Sequence, residues 1–169
     1  ENSFNYKKVD CNTNPGPMPS AEALQYRIQD FAAVFNTQEV PKSKISKACK
    51  VLATQTPLVV GIAVTPDFWE IKPGTQLWDP AEDVPPSSPH AFVLVGYDNV
   101  EKQFEFMNSF GASWGRNGFI RMKYDDFARL CKYAYVLLPE DRAESLVQVQ
   151  PKVKDVPDAS TASLSGAFA

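Results

Sequence analysis

The sequence predicts an α+β domain: an antiparallel β-sheet or small barrel with one or two helices packed on it. Three observations predict it. About six short runs of the 169-residue chain alternate apolar with polar residues, or are continuously apolar at strand length. Several of these runs are joined by turns of hairpin length. One segment alone carries a clear 3.6-residue apolar period.

Residues 1–20 are irregular. "CNTNPGPMPS" packs three prolines, a glycine and two asparagines into ten residues, which blocks helix and strand alike. A short helix follows from Ser20, with Ser20 as N-cap to "AEALQ". "YRIQDFAAVF" (26–35) reads as a strand with Tyr26, Ile28 and Phe31 inward. "PKSKISKACKVLATQ" (41–55) reads as a helix. Ile45, Ala48, Cys49 and Leu52 share its apolar face, the lysines take the other, Ser43 caps it, and it ends before Pro57.

"PLVVGIAV" (57–64) is a buried strand, short, continuous and β-branched. Residues 65–89 form a long proline-rich loop with Trp69 and Trp78, a length that marks a functional segment more often than an idle one. "HAFVLVGYD" (90–98) and "QFEFMNSF" (103–110) are strands joined by "NVEK". "GASWGRNG" is a glycine-punctuated turn, "FIRMKYDDF" a strand, "DDFARLC" one or two helical turns, and "YAYVLL" the last strand. From residue 140 the text is polar and small, that of a linker or a tail held by a surface.

Composition narrows the function classes. The net charge is −3 and the pI near 5.2, so no nucleic-acid partner is expected. No apolar run approaches the roughly 18 residues of a membrane span. The opening "ENSFNYKK" has no leader character and no initiator Met, which reads as a mature or trimmed product. Localisation stays unassigned on these grounds, with a secreted protein or a part of a larger assembly favoured over a plain cytoplasmic one. No phosphate-cradling glycine loop occurs, and one histidine with three cysteines at these spacings builds no ordinary zinc site, so no cofactor and no metal are expected.

The chemistry gathers at one place. His90, the only histidine, heads an apolar strand, and Asn108 follows 18 residues later at a strand end. Alone, each has an ordinary structural reading. Together, "HAFVLVGYD" and "NSFGASWGRNGF" resemble the histidine and asparagine blocks of papain-like cysteine peptidases. The preceding order agrees: a helix, a proline-opened apolar strand, a Phe-containing loop, then the histidine. The resemblance covers residues 41 to about 138. Less specifically it extends back to Phe4, where "FNYKKVDCNTNP" is similar to an aromatic-Tyr-x-x-x-Cys-Pro stretch of bacterial-type members. It implies that 1–40 is an irregular segment and connection, 41–139 the His/Asn β domain of the papain-like fold, and 140–169 an extended tail.

By that resemblance His90 is the ion-pair partner of a cysteine thiolate and the general acid to the leaving amine. Asn108 would fix its ring and tautomer. Trp114 would be a packing residue of the "SWG" turn. Phe110 stands where the family usually has Trp shielding the Asn–His hydrogen bond, so a weaker shield is expected. Val60, Ala63 and Ala91 would form an apolar pocket for the acyl side of a peptide or protein substrate, and loop 65–89 would rim the cleft.

The family's nucleophile block is absent from the sequence. Cys11 sits among prolines and asparagines, Cys49 on the apolar face of the helix, and Cys131 in a helix-turn segment. None has the expected context, and neither Gln29 nor Gln38 has that of an oxyanion donor. Three explanations stand open: a cleaved but associated segment carries the cysteine, only part of the enzyme is represented, or the protein is an inactive pseudopeptidase serving as a structural or interaction component. Each implies a partner or missing segment over the face near His90, because a bare domain half would expose a large apolar wall.

Overall fold

Beyond a 3-10 turn at Leu24–Tyr26, the elements follow as β1 (Ile28–Phe35), α1 (Pro41–Leu52), β2 (Leu58–Val64), a 3-10 turn at Pro66–Glu70, β3 (Ser88–Asp98), β4 (Gln103–Met107), β5 (Phe119–Lys123), α2 (Tyr124–Leu130) and β6 (Cys131–Pro139). The structure, a computed structural model, describes residues 23–139 and residues 12, 14, 16 and 17. Cys11, the start of the helix expected at Ser20 and the tail 140–169 lie outside the described residues. Residues 32–136 form one compact unit, and the described residues on either side belong to a second.

The strands form one sheet in the order β1-β6-β2-β3-β4-β5. From β6 to β5 every neighbour is antiparallel. The sheet is open, so of the two expected forms, sheet or barrel, the sheet is the one built. The β3–β4 connection is pinned by Asp98, whose Oδ1 accepts the amides of Val100 at 2.8 Å and Glu101 at 3.0 Å. Both helices pack on the sheet, against each other and over one core.

Alternation decides which side chains enter that core. Leu58, Val60, Ile62 and Val64 of β2 point inward with Phe92 and Leu94 of β3, Phe104 and Phe106 of β4, and Ile120 and Met122 of β5. Each large one stabilises the fold by about 1.5–3 kcal/mol relative to exposure. Helix α1 adds Ala48 and Leu52, with Ile45 and Cys49 partly buried beside them, the four residues its periodicity marks.

Three expectations need correction. Ser43 is inside α1, which begins at Pro41 after an extended Val40 and has no side-chain cap. Proline suits that first position because its missing N–H would have had no helical partner. Lys44 is not on the solvent face. It is only 6% exposed, and its Nζ donates to the carbonyls of Ala128 at 3.1 Å and Cys131 at 2.7 Å. The ammonium satisfies carbonyls at the C-terminal end of α2, where cations are favoured. Finally, Tyr26, Ile28 and Phe31 are exposed rather than inward. β1 is an outer strand of the sheet, and only its end, Val34 and Phe35, meets the core.

The strand expected over Phe119–Phe127 also stops early. It gives way at Tyr124 to α2, two turns whose Phe127 and Leu130 seal the core.

Candidate active site

His90 lies near the start of β3, opposite Ile62 of β2. Asn108 follows the last residue of β4, whose Met107 pairs with Val93. At Asn108 the chain leaves the β3 ladder, and its amide donates instead to the Gly118 carbonyl at 2.9 Å. That exchange swings the Asn108 side chain toward the head of β3. The result is a contact of 2.9 Å between Asn108 Oδ1 and His90 Nε2.

The amide orientation is fixed by a second partner. Asn108 Oδ1 also accepts the Ser109 amide at 2.8 Å, so the oxygen, not the nitrogen, faces this corner. An oxygen has no proton to give, so His90 Nε2 must be the donor. In the neutral ring the lone pair then sits on Nδ1, and in the protonated ring Nδ1 carries the transferable proton. Asn108 is 8% exposed, and its Nδ2 has no hydrogen-bond partner among the described residues.

The ring is held by aromatic neighbours. Phe92 meets it edge-on at 4.7 Å between centroids, Phe68 lies at 5.0 Å, Phe110 at 5.1 Å and Trp69 at 5.9 Å. Phe68 is fully buried and touches Trp78, Phe92, Phe110 and Trp114 as well. It is the hub of the cluster. Phe92 was legible in principle, two residues beyond His90 on one strand face. Phe68 was not, because nothing local in "PDFWE" says which aromatic turns in.

The long loop is not free. Gly74 donates to the Gly115 carbonyl at 2.7 Å, Trp78 to that of Arg121 at 2.8 Å, and Arg121 in return to Gln76 at 2.8 Å. The Trp78 ring is buried, its Nε1 donating to Asp67 at 2.8 Å. Trp69 instead stands 51% exposed beside His90. One tryptophan anchors the loop and the other rims the site.

The glycine-rich turn carries Asn108. Trp114 donates to the Gly111 carbonyl at 3.2 Å and Gly118 to that of Trp114 at 2.8 Å, while Arg116 and Phe119 exchange both bonds. Gly115 holds a φ of 53°, and a Cβ there would lie 2.5 Å from the Phe119 carbonyl oxygen. Gly111 has a φ of 85° but open space around it. Gly115→Ala should therefore cost about 2–4 kcal/mol, from strain plus a backbone collision. Gly111→Ala should cost about 1 kcal/mol from strain alone. Thermal melts of both variants check the ranking; equal losses would refute it.

The apolar pocket residues divide. Ala63 and Ala91 flank Gly61 on the sheet face away from the core, with Ala91 directly opposite Gly61. Val60 does not join them. It pairs with Phe92 on the core face and is fully buried, because adjacent strand residues point to opposite sides. The Tyr133 ring lies over Gly61 instead, close enough to exclude a Cβ.

Neither described cysteine fits a nucleophile. Cys49 is partly buried, its thiol pKa raised by desolvation. Cys131 is buried and its thiol is pushed up to about 12, again by desolvation. A reactive thiolate needs the reverse. Ile62 faces both His90 and Cys131, so two strand spacings, about 10 Å, separate the last two. Among the described residues no cluster of three or more His, Cys, Asp or Glu would hold a metal ion, and no helix is long and apolar enough to cross a membrane.

Solved structures resemble this chain in fold. Xylellain, a cysteine protease from Xylella fastidiosa, matches with a TM-score of 0.57 at 22% identity, over 75% of this chain and 46% of that one. Bromelain from Ananas comosus, in complex with the E64 inhibitor, matches with 0.43 at 21% identity, over 66% and 50%. A digestive procathepsin L 3 from the larval midgut of Tenebrio molitor matches with 0.46 at 19% identity, over 66% and 35%. The chain thus spans half or less of the length of each. No curated protein sequence matches it. The family model described as "Papain family cysteine protease" matches residues 1–137. On that match, the chain belongs to the papain family of cysteine proteases.

Proposed function

We propose that this chain is the portion of a peptide-bond hydrolase that supplies His90 and Asn108, working with a nucleophilic cysteine carried on a segment outside this sequence. The observation that carries the reading is the His90 Nε2–Asn108 Oδ1 bond with the amide oxygen fixed by Ser109. It leaves Nδ1 as the working nitrogen. As an imidazolium, His90 holds the incoming thiolate by charge. The sulfur attacks the peptide carbonyl carbon, the C–N bond breaks, and Nδ1 gives its proton to the departing amine. The neutral ring then takes a proton from water as that water opens the thioester.

Phe110, 39% exposed and 5.1 Å from the imidazole, shields the Asn–His bond. Trp114, with its ring edge-on to Phe110 at 5.9 Å, supports that shield from beneath. Ala63 and Ala91 would line the acyl-side pocket, with Gly61 and Tyr133 between them. A covering segment is supported by exposed Ala91, Met107 and Tyr133, which share the sheet face away from the core. A protein or peptide is the substrate class the family implies.

The test is activity-based labelling of the protein as isolated, with everything that copurifies, using an epoxide or iodoacetamide thiol probe at mildly acidic pH. Peptide mass spectrometry locates the label. Rapid labelling of a cysteine on an associated or contiguous segment is the expected result. Fast labelling of Cys11, Cys49 or Cys131 would relocate the nucleophile. Absence of any fast-reacting cysteine would sink the hydrolase reading in favour of a binding or structural role on a peptidase fold.

A further inference from the structure

His90 and Asn108 reach each other from separate supports, and one side-chain bond ties those supports together. The His90 ring packs on Phe68 at 5.0 Å, which is carried by the 3-10 turn Pro66–Glu70. Asn108 is held by the glycine-rich turn, its amide on the Gly118 carbonyl. Residues 74–78 are fastened to the Asn108 side. Gly74 donates to the Gly115 carbonyl of that turn, and Leu77 bridges in parallel to Arg121 of β5. The tie is the 2.8 Å bond from Trp78 Nε1 to Asp67 Oδ2, which joins the 3-10 turn to this segment. Trp78 is only 3% exposed and packs on Phe68 at 5.2 Å, so its indole cannot swing out to water without leaving the core.

We infer that Asp67 and Trp78 are positioning residues: their hydrogen bond holds Phe68, and through it the His90 imidazole, in register with Asn108. This rests on the hydrolase reading above. Folding alone asks for less. A buried indole N–H needs an acceptor, and a neutral oxygen would serve. Here the acceptor is a carboxylate, which makes such a bond about twice as strong. It also sits on the residue next to Phe68, the hub of the aromatic cluster, so any slack at Asp67 passes directly to the ring against His90. Proton transfer tolerates little slack, since about 1 Å of misplacement costs a reaction about a hundred-fold. No step of the chemistry uses Asp67 or Trp78 themselves; both act through Phe68.

The complete enzyme, this chain with its nucleophile-bearing segment, provides the test through two readouts. One is steady-state peptide hydrolysis. The other is the His90 ring-proton NMR signal, identified by its loss in His90→Gln. Asp67→Ala and Trp78→Phe each break the tie, the second while keeping a ring in the core. Asp67 is itself exposed, so its truncation leaves the core intact. Each variant should lower kcat by about ten-fold and leave KM within about two-fold, and each should move the His90 signal. Asp67→Asn keeps an acceptor oxygen and should recover most of both. The double variant Asp67→Ala/Trp78→Phe should be no worse than either single one, because both remove the same bond. Native kcat in both single variants, a His90 signal unmoved in both, or losses that multiply in the double variant would overturn the tie alone. A native enzyme that hydrolyses no peptide would overturn the hydrolase reading, and the NMR signal would still decide whether Asp67 and Trp78 hold the ring.

Discussion

Replacing His90 by Gln in the complete enzyme is expected to lower kcat/KM for peptide hydrolysis by about a thousand-fold or more. Two contributions vanish together. The thiol loses the cation that stabilises its ionised form, and the leaving amine loses its proton donor. Glutamine still fills the strand position and offers an amide, but it cannot carry a proton between partners. The structural loss should be small by comparison. The ring gives up aromatic contacts with Phe92, Phe68 and Phe110, of order 0.5–1.5 kcal/mol each. His90 sits at the core's margin rather than inside it, so the variant should still fold. Steady-state kinetics beside a thermal melt checks both halves. Near-native hydrolysis by a folded His90→Gln enzyme would remove His90 from the chemistry.

The elements that the sequence made legible are those whose burial follows from local periodicity. β2, β3, β4 as far as Met107, three residues short of the expected Phe110, and the apolar face of α1 fall where alternation or the helical period places them. The His–Asn pair was legible through the resemblance of the blocks "HAFVLVGYD" and "NSFGASWGRNGF" to those of papain-like peptidases, and the hairpin that joins the two strands is what brings the pair together. What stayed hidden depends on elements far apart in sequence. Lys44 reads as a solvent-face lysine within α1, and only the arrival of the α2 C-terminus, more than 80 residues on, makes its burial worthwhile. Trp69 and Trp78 are indistinguishable in the sequence, and it is the Asp67 carboxylate that takes one and leaves the other out. Tyr26, Ile28 and Phe31 look like core residues until β1 proves to be an outer strand. Val60 misleads for the simplest reason, a one-residue difference in strand parity.

Asn108→Ala should cost about a hundred-fold in kcat, with KM changed little. Asn108 never reaches substrate in this scheme; it holds the ring that does. Its Oδ1 is shared between His90 Nε2 and the Ser109 amide, and truncation strips both of their acceptor. Without it the imidazole can rotate, or carry its proton on the wrong nitrogen, so fewer encounters present Nδ1 correctly. Binding contacts stay in place, which is why the loss should fall on kcat. Phe110→Ala probes the same bond from outside by admitting water to it, and should cost only about ten-fold, because the bond weakens without disappearing. Phe110→Trp should hold or raise activity by covering more of it. The pattern to look for is therefore graded: His90→Gln worst, Asn108→Ala next, Phe110→Ala mildest. If Asn108→Ala instead raised KM and spared kcat, the asparagine would be a binding residue and the ring would be held by its aromatic neighbours alone.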